Sequence, residues 1–189
     1  MAPFRAAGPD PLAIAEREAA ATAGEEAPAE PRLELSLGQR RATATLLQRQ
    51  GEHRLWRAPG GVVVATERAR VVATAGLAQM VTGTRFDGPD PLEDPLPLLR
   101  RSAEARRLVD VSPRSREPSG MRFGLAFDCR LRATGTQDEH VILVEERCRA
   151  AGLSPVLNRF WVDERNGRVS MAEQWVGPGI PPLLLEFPD

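Results

Sequence analysis

Residues 121–132 read MRFGLAFDCRLR, and apolar and polar side chains alternate at the start of this stretch. Met121, Phe123, Leu125 and Phe127 fall on every second position. Successive side chains of a β-strand point to opposite faces, so this period of two predicts a strand with one buried face. It is the clearest strand in the sequence, and it indicates an antiparallel β protein.

The sequence before this strand consists of short apolar segments separated by turn residues about every ten positions. Leu33, Leu35 and Leu37 alternate with polar residues, and turn signals follow at positions 50–51 and 59–61. Regularly spaced short strands of this kind are typical of antiparallel sheets. Residues 33–74 therefore predict a meander of four or five strands.

The C-terminal part contains Asn166-Gly167, the strongest two-residue hairpin signal in the chain. We predict that this turn joins two strands carrying Trp161 and Trp175. Prolines at positions 178, 181 and 182 interrupt backbone pairing, so Leu183–Phe187 is expected to return as a separate edge strand.

Taken together, these segments predict an all-β fold of mainly antiparallel meander sheets, with a barrel-like or a sandwich-like body as alternatives. One or two short helices are expected, either in the N-terminal arm or in Leu98–Arg107. The latter segment also fits the approach to a strand at Arg107–Ser112. Residues 1–31 are rich in Ala, Glu and Pro and predict a flexible arm or tether, whereas residues 32–189 predict a single β domain.

The composition excludes several classes of function. The net charge of −1 gives no reason to expect nucleic-acid binding, and all the basic residues counted as Lys and Arg are arginines. No apolar run approaches the ~20 residues that a membrane helix needs, so no transmembrane segment is expected. The sequence lacks a phosphate loop, a G-x-G-x-x-G fingerprint, an H-E-x-x-H motif and a G-x-S-x-G elbow. We therefore expect no cofactor, no metal and no catalytic residues.

An acidic segment is the closest approach to a metal motif. Asp87, Asp90, Glu93 and Asp94 offer the oxygen ligands that Ca²⁺ prefers. Their spacing matches no regular calcium loop, and prolines stiffen the segment between them. We interpret it as a solvated acidic loop.

The two cysteines, Cys129 and Cys148, lie at the ends of successive predicted strands. If these strands are antiparallel neighbours, the Cα atoms come within the ~5.5–6 Å that a disulfide needs. Such a bond would stabilise the fold by roughly 3 kcal/mol through loop closure. We predict the disulfide, and the alternative is a pair of unrelated buried thiols.

Several motifs, taken in order, resemble the YjbF/GfcB family of exopolysaccharide-secretion lipoproteins. They are LWR at 55–57, GGVVV at 60–64, ARVVATAGL at 69–77, NRFWVD at 158–163, NGRV at 166–169 and QWVGP at 174–178. Ala69 stands where the family pattern has Gly, and the tryptophan expected near position 170 is absent. The resemblance covers roughly residues 33–187.

The resemblance implies a periplasmic protein held to the outer membrane by a lipid anchor that this sequence does not carry. It implies a non-catalytic accessory role in exopolysaccharide or capsule secretion, with an outer-membrane export barrel or the polymer as the partner. Two alternatives remain. One is a polysaccharide-modifying hydrolase that uses Asp163 with Glu173 or Glu164, and the other is a structural envelope assembly module.

The segment after the predicted hairpin supplies the candidate binding surface. We predict that residues 174–182 form an exposed rim that presents Gln174, Trp175 and Ile180 to the partner or the polymer. The alternative is that the apolar residues of this segment belong to the core.

Overall fold

The computed structural model describes residues 31–188, and within them twelve strands form one antiparallel sheet. The fold class is all-β, as the sequence predicts. The strands are β1 (Arg32–Leu37), β2 (Arg40–Gln50), β3 (His53–Arg57), β4 (Val63–Glu67), β5 (Arg70–Ala75), β6 (Gln79–Phe86), β7 (Ala103–Pro113), β8 (Arg122–Gly135), β9 (Val141–Arg149), β10 (Val156–Asp163), β11 (Val169–Gln174) and β12 (Leu183–Glu186).

The spatial order of the strands is β5-β4-β3-β2-β1-β12-β11-β10-β9-β8-β7-β6. The sheet therefore consists of two meanders, β1–β5 and β6–β12, which meet where β1 pairs with β12. The edge strands β5 and β6 are consecutive in the chain, and the sheet is nearly closed into a barrel. The Val81 amide donates a hydrogen bond to Thr74 Oγ1 across this seam (3.0 Å).

Gly76 makes the turn at the seam possible. Its φ of +82° lies in the left-handed region, and a Cβ at this position would come within 2.5 Å of the Gly61 carbonyl oxygen. The glycine of the family-like GL pair at positions 76–77 is thus explained by a close backbone approach. Leu77, which follows it, is buried in the core.

The core fills the inside of the curled sheet. Its largest fully buried side chains include Trp56, Phe127 and Phe160. The indole Nε1 of Trp56 donates to Thr66 Oγ1 on the next strand (3.1 Å), so the polar end of the indole is satisfied inside the protein. Trp161 and Trp175 are half-buried.

The sequence left open whether residues 98–107 form a short helix or the approach to a strand, and the structure contains both. A 3₁₀ turn covers Leu96–Leu99, and β7 begins at Ala103. Within residues 31–188, the only helical segments are short 3₁₀ turns. The N-terminal arm lies outside the described residues. No helix in the described part of the chain is long and apolar enough to cross a membrane.

The C-terminal hairpin is present, but its loop spans residues 164–168 instead of the predicted two-residue turn. The Asp163 carboxylate accepts a hydrogen bond from the Arg165 amide (2.9 Å), and the Asp163 carbonyl accepts one from the Gly167 amide (2.8 Å). These two bonds close a wider turn. Trp175 lies just beyond the end of β11.

The prediction that residues 183–187 form an edge strand is wrong. β12 pairs with β11 on one side and with β1 on the other. The prolines at positions 178, 181 and 182 keep the segment directly before β12 from pairing. β1 then pairs with the side of β12 that was predicted to be unpaired. A long-range contact between the two ends of the domain is not visible in local sequence patterns.

Strand β8, which contains most of the alternating stretch at residues 121–132, departs from strict alternation of buried and exposed side chains near its start. Phe127 is fully buried, whereas Phe123 is 71% exposed. The pairing of β7 with β8 shifts register between Val109 and Val111, and Gly124 has a φ of +63°. A bulge with a left-handed glycine inserts one residue into the strand, and this turns Phe123 away from the buried face.

Candidate functional site

Four charged residues form a cluster inside the sheet, which we call the interior ion cluster: Arg70, Asp90, Arg107 and Glu146. Arg70 lies at the start of β5 and donates from Nη1 to Glu146 Oε2 on β9 (2.8 Å). Its Nε and Nη2 donate to the two carboxylate oxygens of Asp90 (2.7 Å each). Arg107 Nη2 on β7 lies 3.7 Å from Glu146 Oε2. The cluster therefore joins three strands and the loop that contains Asp90.

The electrostatics of this cluster keep Glu146 charged although its side chain is fully buried. Burial alone would raise the pKa of Glu146, but attraction to Arg70 and Arg107, with hydrogen bonds from Arg70 and Asn158, lowers it to about 2. The pKa of Arg70 is raised: burial opposes the charge, but Glu146 and Asp90 outweigh it. Burial lowers the pKa of Arg107. Phe127 packs under the Arg107 guanidinium, 5.4 Å from ring centroid to Cζ.

Two residues of the family-like motifs connect this cluster to the C-terminal segment. Asn158 Nδ2 donates to Glu146 Oε2 (2.6 Å), and Asn158 Oδ1 accepts from the Trp175 amide (2.8 Å). Gln174 Nε2 donates to the Ala69 carbonyl (2.7 Å), and Gln174 Oε1 accepts from the Val71 amide (3.1 Å). Gln174 therefore pairs with the backbone of the edge strand β5 from across the interior.

The prediction that Gln174 lies on an exposed rim is wrong, because this residue is only 2% exposed. Its amide group is the pairing partner of β5 and cannot reach a ligand. Trp175 and Ile180 are half-buried and pack against the core, with the Trp175 ring 5.2 Å from the Phe127 ring between centroids. The hypothesis that these two residues contact a partner stays a prediction.

The acidic segment is not wholly a solvated loop. The Asp90 carboxylate turns inward to Arg70 and also accepts from the Leu92 amide (3.0 Å). The side chain of Asp90 is 12% exposed. Asp90 is therefore the counter-ion of a buried arginine, and its inward position does not require a calcium ion.

Cys129 and Cys148 form the predicted disulfide, and they are direct cross-strand partners of β8 and β9. Their Cα atoms lie 4.0 Å apart. Cys129 stands in the middle of β8, not at its end as the sequence suggested. A Glu146 oxygen lies within 4.8 Å of both sulfur atoms. Sulfur atoms bonded to each other are not thiolates, however, so this group is not a ligand set for a metal while the bond is intact.

Two of the three carboxylates of the hydrolase alternative, Asp163 and Glu173, lie in surface ion pairs. Hydrogen bonds from the Arg165 side chain and amide lower the pKa of Asp163 to about 2. Glu173 accepts from Arg159 Nη1 (2.9 Å). A glycosidase needs one carboxyl group whose pKa is raised so that it can donate a proton. The hydrogen bonds from Arg165 lower the pKa of Asp163 instead.

An open groove of about 1110 Å³ crosses the outer face of β7, β8 and β9, and we call it the outer groove. Its basic side chains are Arg106, Arg130, Arg132, Arg147 and Arg149. Its acidic side chains are Asp87, Glu104, Asp128 and Glu145. The outer groove is therefore rich in both hydrogen-bond donors and acceptors.

Strand register places these charges opposite one another. On β8 and β9, Arg132 faces Glu145, and Arg130 faces Arg147. Arg147 Nη2 donates to Glu145 Oε2 (2.9 Å), and Glu145 Oε1 lies 3.8 Å from Arg159 Nε. The disulfide lies under this face and ties β8 to β9, so the strands that carry these charges are covalently joined.

Beside the outer groove lies a smaller depression of about 330 Å³, which we call the arginine hollow. It is lined by Leu98, Leu99, Arg100, Arg101, Ser102, Arg130 and Arg132. Arg130 and Arg132 line both depressions, so the two adjoin each other. Among the described residues, the arginine hollow is lined by four arginines and by no acidic residue.

A third cavity of about 610 Å³ lies beside β5 and β6, and Arg70 and Asp90 are part of its wall. The guanidinium donors of Arg70 are already bonded to Asp90 and Glu146. A ligand there would have to compete with the interior ion cluster. The ion pairs of the outer groove lie at the surface, where opening them costs little, so the outer groove is the better candidate for binding.

Sequence reasoning missed both the outer groove and the interior ion cluster. A signal for the groove was available, because Arg130 with Arg132 and Arg147 with Arg149 occupy alternate positions of neighbouring strands. Charges with a period of two mark a solvent-facing side of a sheet. No local signal marked Glu146 as buried, because Glu145 and Arg147 on either side of it face the solvent.

Comparisons with known proteins agree with the family-like motifs. The family model described as group 4 capsule polysaccharide lipoprotein GfcB, YjbF matches residues 25–187. A solved structure titled as the hypothetical lipoprotein YmcC from Escherichia coli (K12) is similar, with a TM-score of 0.70 and 19% sequence identity. The similarity covers 97% of this chain and 99% of that one. No curated protein sequence matches the chain.

Proposed function

Because this chain belongs to the YjbF family of group 4 capsule polysaccharide lipoproteins, we propose that it is a non-catalytic accessory protein of capsule or exopolysaccharide secretion. It acts in the periplasm, held to the outer membrane by a lipid anchor, and it binds the polymer along the outer groove. The membership itself establishes a place in capsule or exopolysaccharide biology. The binding role and the location are the proposal.

The outer groove is the observation that carries this proposal. It is open along the surface, so a linear polymer can lie across β7, β8 and β9 without threading an end into a closed pocket. Arginine guanidinium groups donate in a planar fork, and carboxylates accept, so together they match the hydroxyl groups of sugars. The Cys129–Cys148 disulfide stiffens the floor, which lowers the entropy that binding must overcome.

Binding is favoured over hydrolysis for a specific reason. Of the four carboxylates named for the outer groove, two lie in ion pairs, Asp128 with Arg106 (3.8 Å) and Glu145 with Arg147 (2.9 Å). A general acid needs an apolar site that keeps it protonated, whereas these carboxylates lie in an open groove among arginines.

The test uses surface polysaccharide isolated from the organism that encodes the chain. The purified chain is titrated with this polymer, and the affinity is compared with that of Arg147→Ser/Arg149→Ser. We expect the double variant to bind at least about tenfold more weakly, because two charge-assisted hydrogen-bonding side chains leave the groove. Arg49→Ser on β2 is the control, since Arg49 is also exposed but lies on a distant strand, and it should bind as the unchanged chain does.

The same variants are then returned to a strain that lacks the gene, and surface polymer is measured. Arg147→Ser/Arg149→Ser should accumulate normally but restore less surface polymer than Arg49→Ser. Equal polymer affinity in all three proteins would refute binding at the outer groove. If secretion falls while polymer affinity is unchanged, the groove contacts a protein partner such as an export barrel, and the polymer assignment is wrong.

A further inference from the structure

We propose that the arginine hollow is a subsite for the carboxylate of an acidic sugar residue, so that the ligand class of the outer groove is a uronate-bearing polysaccharide. This inference rests on the proposed function and names its substrate class. Four features of the hollow carry it: an excess of positive charge, a partly fixed geometry, a like-charge pair beside it, and an exposed apolar side chain.

The first feature is an excess of positive charge among the described residues of the hollow. Within residues 31–188, Arg100, Arg101, Arg130 and Arg132 form no ion pair. Two acidic residues lie opposite members of the hollow in the strand register, Glu104 facing Arg130 and Glu145 facing Arg132.

Glu145, however, is engaged with Arg147 at 2.9 Å and with Arg159 at 3.8 Å, so its charge is already shared between two other arginines. Glu104 is exposed and forms no ion pair within the described part of the chain. An anion entering the hollow therefore meets four arginines, and Glu104 opposite Arg130 offsets only part of their charge, so a net attraction remains.

The guanidinium of Arg130 and the backbone of Arg100 and Arg101 are held in place. Arg130 Nε and Nη2 both donate to Ser102 Oγ (3.2 and 3.0 Å), which orients the guanidinium plane and leaves its remaining N–H groups for a ligand. The backbone amides of Arg100 and Arg101 both donate to the Pro97 carbonyl (3.1 Å each). The 3₁₀ turn before them is anchored by Leu98, which is buried in the core.

A pair of like charges borders the hollow. Arg130 on β8 and Arg147 on β9 are direct cross-strand partners on the outer face. Like charges directly opposite each other destabilise a sheet. Glu145 already relieves part of this repulsion at Arg147 (2.9 Å), and an anion bound beside Arg130 would relieve more of it.

The size and lining of the hollow favour a sugar acid over a small inorganic ion. Its volume of about 330 Å³ lies at the lower end of the range for small-ligand sites, roughly 300–1,000 Å³. Leu99 lines it and is 39% exposed, which offers an apolar contact to the face of a sugar ring. Arginine forks match a carboxylate bidentately, and all cations of this hollow are arginines. A carboxylate on a ring would use both features.

The test compares two probes that share one backbone. Oligogalacturonides carry a carboxylate on every residue, and their fully methyl-esterified forms are neutral. Both are titrated calorimetrically into the unchanged chain, Arg100→Ser/Arg101→Ser, and the Arg49→Ser control. We expect the unchanged chain and the control to prefer the acidic probe. The double variant should bind it about tenfold more weakly or worse, with the esterified probe unaffected.

Added salt and inorganic phosphate complete the test. The preference for the acidic probe should shrink as salt rises, because screening weakens exposed charge interactions. Equal affinity for both probes, or an acid preference that survives in Arg100→Ser/Arg101→Ser, would overturn the inference. So would phosphate competing as well as the acidic sugar, because the site would then be a general anion site.

These outcomes can be separated from failure of the proposed function. If the natural polymer binds and Arg147→Ser/Arg149→Ser weakens it, the outer groove is a polymer site whatever the result at the arginine hollow. If neither galacturonide probe binds, the inference is refuted, while the proposed function still depends on the experiment with the natural polymer.

Discussion

Adjacent residues on β9, Glu145 and Glu146, have the same kind of side chain in opposite surroundings. Glu145 faces the solvent in the outer groove, where it pairs with Arg147 and Arg159. Glu146 faces the interior with 0% exposure and pairs with Arg70. The outer pairs gain little from each other because water screens them, so their arginines remain available to a ligand. The inner pair is desolvated and cannot be opened without a large loss of stability.

The largest effect on stability is expected when the buried charge of Glu146 is removed. Glu146→Gln removes the negative charge between Arg70 and Arg107 and leaves buried cations without sufficient compensation. We expect the free energy of unfolding to fall by ~3–5 kcal/mol, measured by urea denaturation. Glu145→Gln is the matched control, and it should change stability by less than ~1 kcal/mol. Similar losses in both variants would mean that burial does not distinguish the two pairs.

Acid titration sharpens the same comparison. The folded-state pKa of Glu146 is about 2, below its ordinary value of 4.5, so folding favours the ionised form. The stabilisation is therefore complete above pH 4.5 and is lost as the pH falls toward 2. A shift of this size corresponds to roughly 3 kcal/mol. We expect unfolding free energies measured across this window to fall steeply in the unchanged chain and less steeply in Glu146→Gln. Parallel curves would contradict the assignment.

The disulfide beneath the outer groove gives an effect of similar or smaller size. Cys129→Ala/Cys148→Ala should lower the free energy of unfolding by ~3 kcal/mol, because the reopened loop regains entropy in the unfolded chain. Thiol titration of the unreduced, denatured protein made under oxidising conditions should find no free thiol. Two free thiols would show that the bond is not formed.

Trp175 lies between the two regions and should give the smallest effect of the four. Its amide is bonded to Asn158 next to Glu146, but its side chain is only half-buried against Phe127. Trp175→Ala should cost ~1–3 kcal/mol, less than the ~3–5 kcal/mol expected of the fully buried Trp56→Ala. The thermal melt measures both. If Trp175→Ala melts as low as Trp56→Ala, the residue belongs to the core and the partner-binding rim is excluded.

Local patterns were sufficient for much of the fold. The alternation in β8, the regular turn signals before β5 and the hairpin signal at Asn166-Gly167 all correspond to strands in the sheet. The disulfide could be predicted because it joins neighbouring strands of one hairpin. Phe123 was misplaced because a single left-handed glycine shifts the phase of the strand, and alternation alone does not reveal such a shift.

The functional surfaces were harder to predict. Gln174 was placed on an exposed rim because it is polar and precedes a Gly/Pro-rich segment. In the fold its amide pairs with the backbone of β5, which is far from it in sequence. The arginine hollow combines a turn before β7 with outward positions of β8, and only the strand register brings them together.

By itself, the sequence determined that this chain folds as an antiparallel β protein with a cystine bridge, and its motifs placed it among capsule lipoproteins. These features depend on residues close together in the chain or on the order of short motifs. Only the tertiary structure decided which charges are inside and which are outside. Side chains at successive strand positions face opposite sides, but which side is buried depends on how the whole sheet curls. That curl buries Glu146 with Arg70 and leaves Glu145 and the arginine hollow open to solvent.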